Sequence, residues 1–153
     1  MSVKIEPIGY VRSSRAEAID DDWDSVESRI ELADGFSEES LAGLADFSHV
    51  EIIYHFNKVD PSKVILKAEH PRENPAWPKV GIFAQRKKAR PNLLGATIAR
   101  VVRVEGKTLW LSGFDAIDGT PVIDIKPVFR EYLPRGEVRQ PEWVGELMSH
   151  YWE

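Results

Sequence analysis

Gly95-Ala96-Thr97-Ile98-Ala99-Arg100-Val101-Val102-Arg103-Val104-Glu105, followed by Gly106-Lys107 and then Thr108-Leu109-Trp110-Leu111-Ser112, decides how this chain folds. Its first half is dense in Val, Ile and Thr, whose branched Cβ atoms suit a pleated, half-buried surface. Gly106-Lys107 has the composition of a tight hairpin turn, and Thr108 to Ser112 reads as the returning strand. Outward from this hairpin lie two polar clusters rich in Gly and Pro. Upstream runs Gly81-Ile82-Phe83-Ala84-Gln85-Arg86-Lys87-Lys88-Ala89-Arg90-Pro91-Asn92-Leu93-Leu94-Gly95. Downstream runs Gly113-Phe114-Asp115-Ala116-Ile117-Asp118-Gly119-Thr120-Pro121-Val122-Ile123-Asp124-Ile125-Lys126-Pro127. Polar turns at the ends of short strands are where a rigid sheet carries its ligand groups.

The remaining elements follow the same period. Val3 to Arg12 reads as a first strand interrupted at Pro7 and Gly9, and Ser13 to Asp24 as an exposed acidic loop. Glu27 to Leu32 is a strand with Ile30 and Leu32 on one side. Ser37 is an N-cap candidate for a short helix ending near Asp46. Phe47 to Phe56 is a strand rich in aromatic and β-branched residues, closed by the turn Asn57-Lys58-Val59-Asp60-Pro61. Val64 to Ala68 and Val80 to Gln85 read as short strands, His70 to Pro78 and Arg86 to Leu93 as loops, and Val122 to Ile125 as a last strand. Glu142 to Trp152 reads as a terminal helix with Trp143, Leu147 and Met148 at apolar spacing. Short strands, hairpins and few helices predict an antiparallel barrel or sandwich rather than a doubly wound sheet.

With 153 residues, the chain is expected to be one domain over residues 1–153, with a short helical tail at about 140–153. Its 42% hydrophobic and 29% charged content is that of a globular protein. No apolar run of ~18 residues predicts a membrane span, and the start lacks a secretory pattern, so a cytoplasmic protein is the expectation. Absence of cysteine excludes thiolate metal ligands and a cysteine nucleophile. His49, His55, His70 and His150 are scattered without paired spacing, and no metal is expected. A net charge of −5 argues against a broad nucleic-acid surface, yet Arg86-Lys87-Lys88-Ala89-Arg90 is a local basic patch able to guide an anion.

Arg86 and Arg90 have a bland reading as a solvated loop. The sequel Arg90-Pro91-Asn92 with Gly95 looks instead like a shaped turn whose guanidinium groups clamp a carboxylate or phosphate. Asn92 can read a base edge or an amide. Asp118-Gly119-Thr120-Pro121 is a β-turn whose exposed backbone groups could hold a small ligand. Asp124 and Lys126 share a strand face, where an ion pair is the plain explanation. The five tryptophans read mostly as core or interface residues, with Trp23 a candidate cover for a ring ligand.

Together, Gly81-Ile-Phe-Ala-Gln-Arg-x-x-x-Arg-Pro-Asn-x-x-Gly95 and Asp118-Gly-Thr-Pro-Val-Ile-Asp-Ile-Lys-Pro127 closely resemble the TrmO-type (YaeB or TsaA-like) tRNA methyltransferases. Pro7-Ile8-Gly9-Tyr10-Val11-Arg12-Ser13 and Phe47-Ser48-His49 match the same family's N-terminal motifs. The resemblance covers roughly residues 5 to 130. It implies a mainly β, antiparallel single-domain barrel that binds S-adenosylmethionine, usually as a homodimer. It also implies methylation of the exocyclic nitrogen of threonylcarbamoyl-adenosine beside the tRNA anticodon. Carried over by motif, Phe56, Asn57, Lys58, Arg86, Ala96, Asp118, Gly119, Thr120 and Pro121 would touch the cofactor. Arg90, Asn92 and Asp124 would meet the substrate, and Asp118, Arg86 and Lys126 would be catalytic, Asp118 as the candidate base. The other classes compatible with the resemblance are a non-catalytic S-adenosylmethionine-binding sensor and a methyltransferase acting on a non-tRNA acceptor. After Ser13 the chain departs from the family's Pro-Arg-Gln-Pro-Gly-like loop and runs through Ser14 to Asp24 instead. An acidic loop near a pocket would repel phosphate.

Overall fold

The computed structural model describes residues 1–153. Six strands close into an antiparallel barrel: β1 (Gly9–Ser13), β2 (Glu27–Leu32), β3 (His49–His55), β6 (Leu94–Glu105), β7 (Thr108–Ser112) and β8 (Pro121–Pro127). Their order around the wall is β1-β2-β7-β6-β3-β8, and β4 (Ala68–Glu69) with β5 (Val80–Gly81) forms a separate two-stranded ladder. The predicted hairpin is the longest piece of wall. β6 pairs with β3 over its first half, His55 to Leu94 through His49 to Arg100, and with β7 over its second. One strand therefore serves two neighbours, and a bulge at Val102, between the pairs Val101–Leu111 and Arg103–Trp110, helps it turn. A second bulge leaves Ile123 of β8 between the pairs Ile53–Asp124 and Tyr54–Val122.

Alternation fills the interior. On β3, Val50, Ile52 and Tyr54 are buried while their neighbours face outward. They meet Val11, Ile30, Ala99, Leu109, Leu111 and Val122 in one core. The segment between β7 and β8 crosses the barrel end and inserts Phe114 and Ala116 into that core, closing it from above.

Several expectations are corrected. The first strand begins at Gly9 rather than Val3, because Pro7 has no N–H to give and only Ile8 reaches β8, through Val122. Val64 to Ala68 contributes only Ala68 to a strand, since the Ile65 N–H donates to Ala89 in the basic loop instead. Val80 to Gln85 is strand only at Val80–Gly81 and then winds into a 3₁₀ turn that buries Ile82. Ser37 does cap a helical turn, accepting from Glu39 N–H at 3.3 Å, but Gly43 at φ 85° splits the helix into two 3₁₀ pieces, Glu38–Leu41 and Leu44–Asp46. The terminal helix α1 spans only Glu142–Leu147, and the chain beyond turns away to lie against residues 22–24.

Candidate functional site

Residues 13 to 24 form the expected loop, largely exposed, with one departure. Trp23 is 1% exposed, and its indole N–H donates to the Ile19 carbonyl at 3.1 Å. Arg15 stacks on it at 4.0 Å and donates to the carbonyls of Asp22 and Asp21 at 2.8 and 3.0 Å. Trp23 is thus core, not a cover for a ligand ring. Asp20 and Asp21 face Arg72 at 3.9 and 3.3 Å, so the acidic run is partly neutralised within the fold.

The motif residues fall mainly at one end of the barrel. Arg86 Nη2 donates to the Ala96 carbonyl, tying the basic loop to the start of β6. Arg90 Nη1 donates to the carbonyls of Gln85 and Lys87 at 2.7 and 3.3 Å and so shapes that loop from within. Asn92 and Leu93 both have positive φ, 65° and 53°, and the Phe56 N–H donates to the Leu93 carbonyl at 2.8 Å. Asn tolerates this backbone better than most residues, which accounts for its place after Pro91. At Gly95 an added Cβ would lie 2.6 Å from the Tyr54 ring and 2.7 Å from the Phe56 ring. Only glycine admits that close approach of two aromatic rings to the strand. Asn57 and Lys58 follow Phe56 in the turn beyond β3, with the Asn57 N–H on the His55 carbonyl at 2.8 Å.

The 118–121 turn sits at the same end, where Pro121 pairs with Tyr10 and Val122 with Tyr54. Its backbone N–H groups are committed: Asp118 to Arg15, Gly119 to Val11 and Thr120 to Ile117. Asp118 Oδ1 accepts from Ser13 N–H at 3.0 Å, and Thr120 is buried. The turn is a clasp between β1 and β8. It leaves the Asp118 carboxylate's second oxygen, not a ring of free amides, to meet a ligand. Asp124 and Lys126 stand apart, further along β8 on the outer wall, as an exposed ion pair at 2.8 Å. The Lys126 ammonium is held above its usual range chiefly by that hydrogen bond.

Sequence reasoning missed a buried polar cluster between these pieces. Asp115 Oδ1 accepts from the hydroxyls of Thr97 at 2.6 Å and Tyr54 at 3.0 Å, and Oδ2 accepts from Tyr151. Burial, and then the Asp115 charge, push both phenols far above the ordinary tyrosine range, so both remain neutral donors. Arg86 is the opposing charge felt by both phenols. Asp115 lay in plain sight between two quoted motifs, but nothing in the chain announces that Tyr151 returns to it. No group of three or more His, Asp or Glu gathers in a metal-binding arrangement, and no helix is long and apolar enough to cross a membrane.

A recess of about 660 Å³ lies beside this mouth on the outer wall and includes Arg100, His49 and Trp152, none of them among the predicted site residues.

Comparison with known proteins places these features in context. Residues 19–133 match the family model described as the tRNA-methyltransferase O N-terminal domain. A mouse protein named tRNA (adenine(37)-N6)-methyltransferase is 47% identical over 95 residues, 62% of this chain but 22% of the relative. A Pyrococcus abyssi protein, named a probable S-adenosyl-L-methionine-binding protein, is 34% identical over 146 residues, 92% of this chain and 74% of that one. The crystal structure of TrmO from Pseudomonas aeruginosa superposes with a TM-score of 0.73 at 32% identity, covering 91% of this chain and 62% of that one. The chain thus spans about a fifth of the mouse protein and under two thirds of the solved TrmO chain. Barrel, motifs and family match agree, and the chain belongs to the tRNA-methyltransferase O N-terminal domain family.

Proposed function

We propose that this protein is a cytoplasmic, homodimeric S-adenosylmethionine-dependent methyltransferase. Its acceptor is N6 of threonylcarbamoyl-adenosine beside the tRNA anticodon. The observation that carries the reading is the convergence at one barrel end of Phe56, Arg86, Ala96 and the 118–121 turn around the buried Asp115 cluster. The names of the mouse and Pyrococcus relatives support the two halves of the reading, tRNA adenine and S-adenosylmethionine.

The donor set suits the cofactor. A ligand carrying an ammonium, a carboxylate, ribose hydroxyls and a flat ring meets carboxylates at Asp115 and Asp118, guanidinium N–H groups on Arg86, and an aromatic edge at Phe56. Asn57, Lys58, Ala96, Gly119, Thr120 and Pro121 complete the proposed binding set. When bound, S-adenosylmethionine supplies an already activated methyl group, so little covalent help is required of the protein. The chain's work is then to orient, to exclude water and to manage one proton. Arg86, anchored on Ala96, holds the basic loop against the mouth. Asp118 is the proposed base: Ser13 fixes one carboxylate oxygen and the other receives the acceptor proton, directly or through water. Arg90 and Asn92 shape the acceptor's approach, with Asp124 and Lys126 at its outer margin. Partial neutralisation of Asp20 and Asp21 by Arg72 reduces the repulsion that the acidic loop would exert on RNA phosphates.

The test is methyl transfer from labelled S-adenosylmethionine to tRNA bearing threonylcarbamoyl-adenosine, with cofactor binding measured in parallel by calorimetry. Label in the anticodon loop supports the enzyme. Binding without transfer to any RNA would point instead to a sensor or to a methyltransferase with a non-tRNA acceptor.

A further inference from the structure

Arg100 projects from the outer face of β6 with every nitrogen of its guanidinium already engaged. Nε donates to Ser112 Oγ at 3.0 Å, Nη1 to Asp24 Oδ1 at 2.9 Å and Nη2 to the Asp24 carbonyl at 2.9 Å. Behind it is Gly113, at φ 68°, where a Cβ would come within 3.3 Å of Nη2. The group is therefore held as a plane, with three of its five N–H donors engaged and its charge balanced by Asp24. With its charge already balanced, such a group is a weaker phosphate clamp than a free guanidinium. It retains its face, and guanidinium faces stack on heteroaromatic rings.

Other walls of the same 660 Å³ recess are of the matching kind. Trp152 is 37% exposed, and its backbone carbonyl is held by Asp24 N–H at 3.0 Å. Its indole packs edge-on against Tyr151 at 4.9 Å. Ile98 is 45% exposed on the next outward position of β6. His49, cross-strand from Arg100, has Nδ1 on the Ser48 hydroxyl at 2.7 Å, which leaves Nε2 for a ligand.

This recess shares its boundary with the barrel mouth three times over. On β6, Thr97 points to Asp115 while the adjacent Ile98 lines the recess. On the C-terminal segment, Tyr151 points to Asp115 while Trp152 lines the recess. On the crossing segment, Asp115 is in the mouth and Gly113 in the recess.

We propose that this recess is the stacking site for a single unstacked RNA base, held between flat surfaces offered by Arg100 and Trp152 next to the methyl-transfer mouth. The proposal rests on the RNA reading of the acceptor. It adds a recognition site on residues that the cofactor motifs do not include. A base in a loop is splayed out at a lower cost than one in a duplex, and aromatic stacking is tolerant of its identity.

The experiment uses the full chain with S-adenosylmethionine and an anticodon stem–loop RNA carrying 2-aminopurine in the loop. Fluorescence titration reads both affinity and the stacking of the reporter. Trp152→Ala and Arg100→Lys are expected to weaken RNA binding about 5- to 100-fold, the range of one lost base stack, and to abolish the fluorescence change. Trp152→Phe retains most of it. Ile98→Glu gives the same loss by placing negative charge in the recess, with sedimentation showing an unchanged oligomeric state because Ile98 also borders the neighbouring groove. Cofactor affinity measured by calorimetry stays at the wild-type value in all four variants. RNA affinity and fluorescence within about twofold of wild type in Trp152→Ala, Arg100→Lys and Ile98→Glu overturn the stacking site. Absence of cofactor binding by the wild-type protein fails the methyltransferase reading instead, so the two failures are distinct.

Discussion

Asp115 shows how much one side chain can hold together here. Its carboxylate accepts from Thr97, Tyr54 and Tyr151, drawn from two barrel strands and the C-terminal segment. Asp115→Ala leaves buried hydroxyls without their acceptor and is expected to cost about 1–3 kcal/mol in denaturant unfolding, with Asp115→Asn losing less because it keeps one acceptor oxygen. The two phenols carry a pH signature of defined sign. Both are held protonated in the folded state, above the ordinary value of 10.0. Their contribution to stability is complete below pH 10 and declines as pH rises past it, because the unfolded chain then releases protons that the folded chain keeps. Tyr151→Phe should make that alkaline decline shallower, and an unchanged slope in chemical denaturation between about pH 8 and pH 11 would count against the cluster. Arg86 is the residue proposed to set cofactor affinity. Arg86→Ala is expected to weaken S-adenosylmethionine binding about 10- to 100-fold, as loss of a charge-assisted hydrogen bond does, and an unchanged calorimetric isotherm would remove it from the site.

The strands place those side chains by close approach as much as by alternation. β6 meets β3 at Gly95, where Tyr54 and Phe56 lie against the backbone and Tyr54 also meets Phe114 edge-on at 5.4 Å. Gly95→Val would drive a side chain into both rings; the expected loss is about 1–3 kcal/mol, read as a lowered denaturation midpoint with unchanged slope. The loop of residues 13–24 is exposed along most of its length but buries Trp23. Trp23→Ala should cost about 3–5 kcal/mol, the range for a buried tryptophan, whereas an exposed loop tryptophan would cost almost nothing. That contrast makes the substitution a direct check on that burial.

Across the molecule, the motifs separated most widely in sequence are joined by barrel closure. β8 pairs with both β1 and β3, so the 118–121 turn, the end of β3 and the Ser13 clasp share one rim. The adjoining part of the wall, sharing Ile98 with the recess, carries a groove of about 300 Å³ formed with Lys126, Phe129, Tyr132 and neighbours. The proposed homodimer would use a partly apolar face of this kind. Sedimentation at micromolar concentration is expected to give twice the 17.4 kDa chain mass, and a purely monomeric species would overturn that assignment. Strand character was legible wherever apolar residues alternate over a sufficient run, as in 49–55 and 94–112, because burial on one face imposes a period of two. The turn chemistry at Arg86–Gly95 and Asp118–Pro121 was legible for a related reason: Gly, Pro and Asn restrict the backbone locally, whatever packs around them. Burial of Trp23, the return of Tyr151 to Asp115 and the anchoring of Arg100 were not legible. Each depends on contacts between residues far apart in the chain, such as Arg100 with Asp24 and Tyr151 with Asp115, and local pattern carries no term for a partner that only folding brings near.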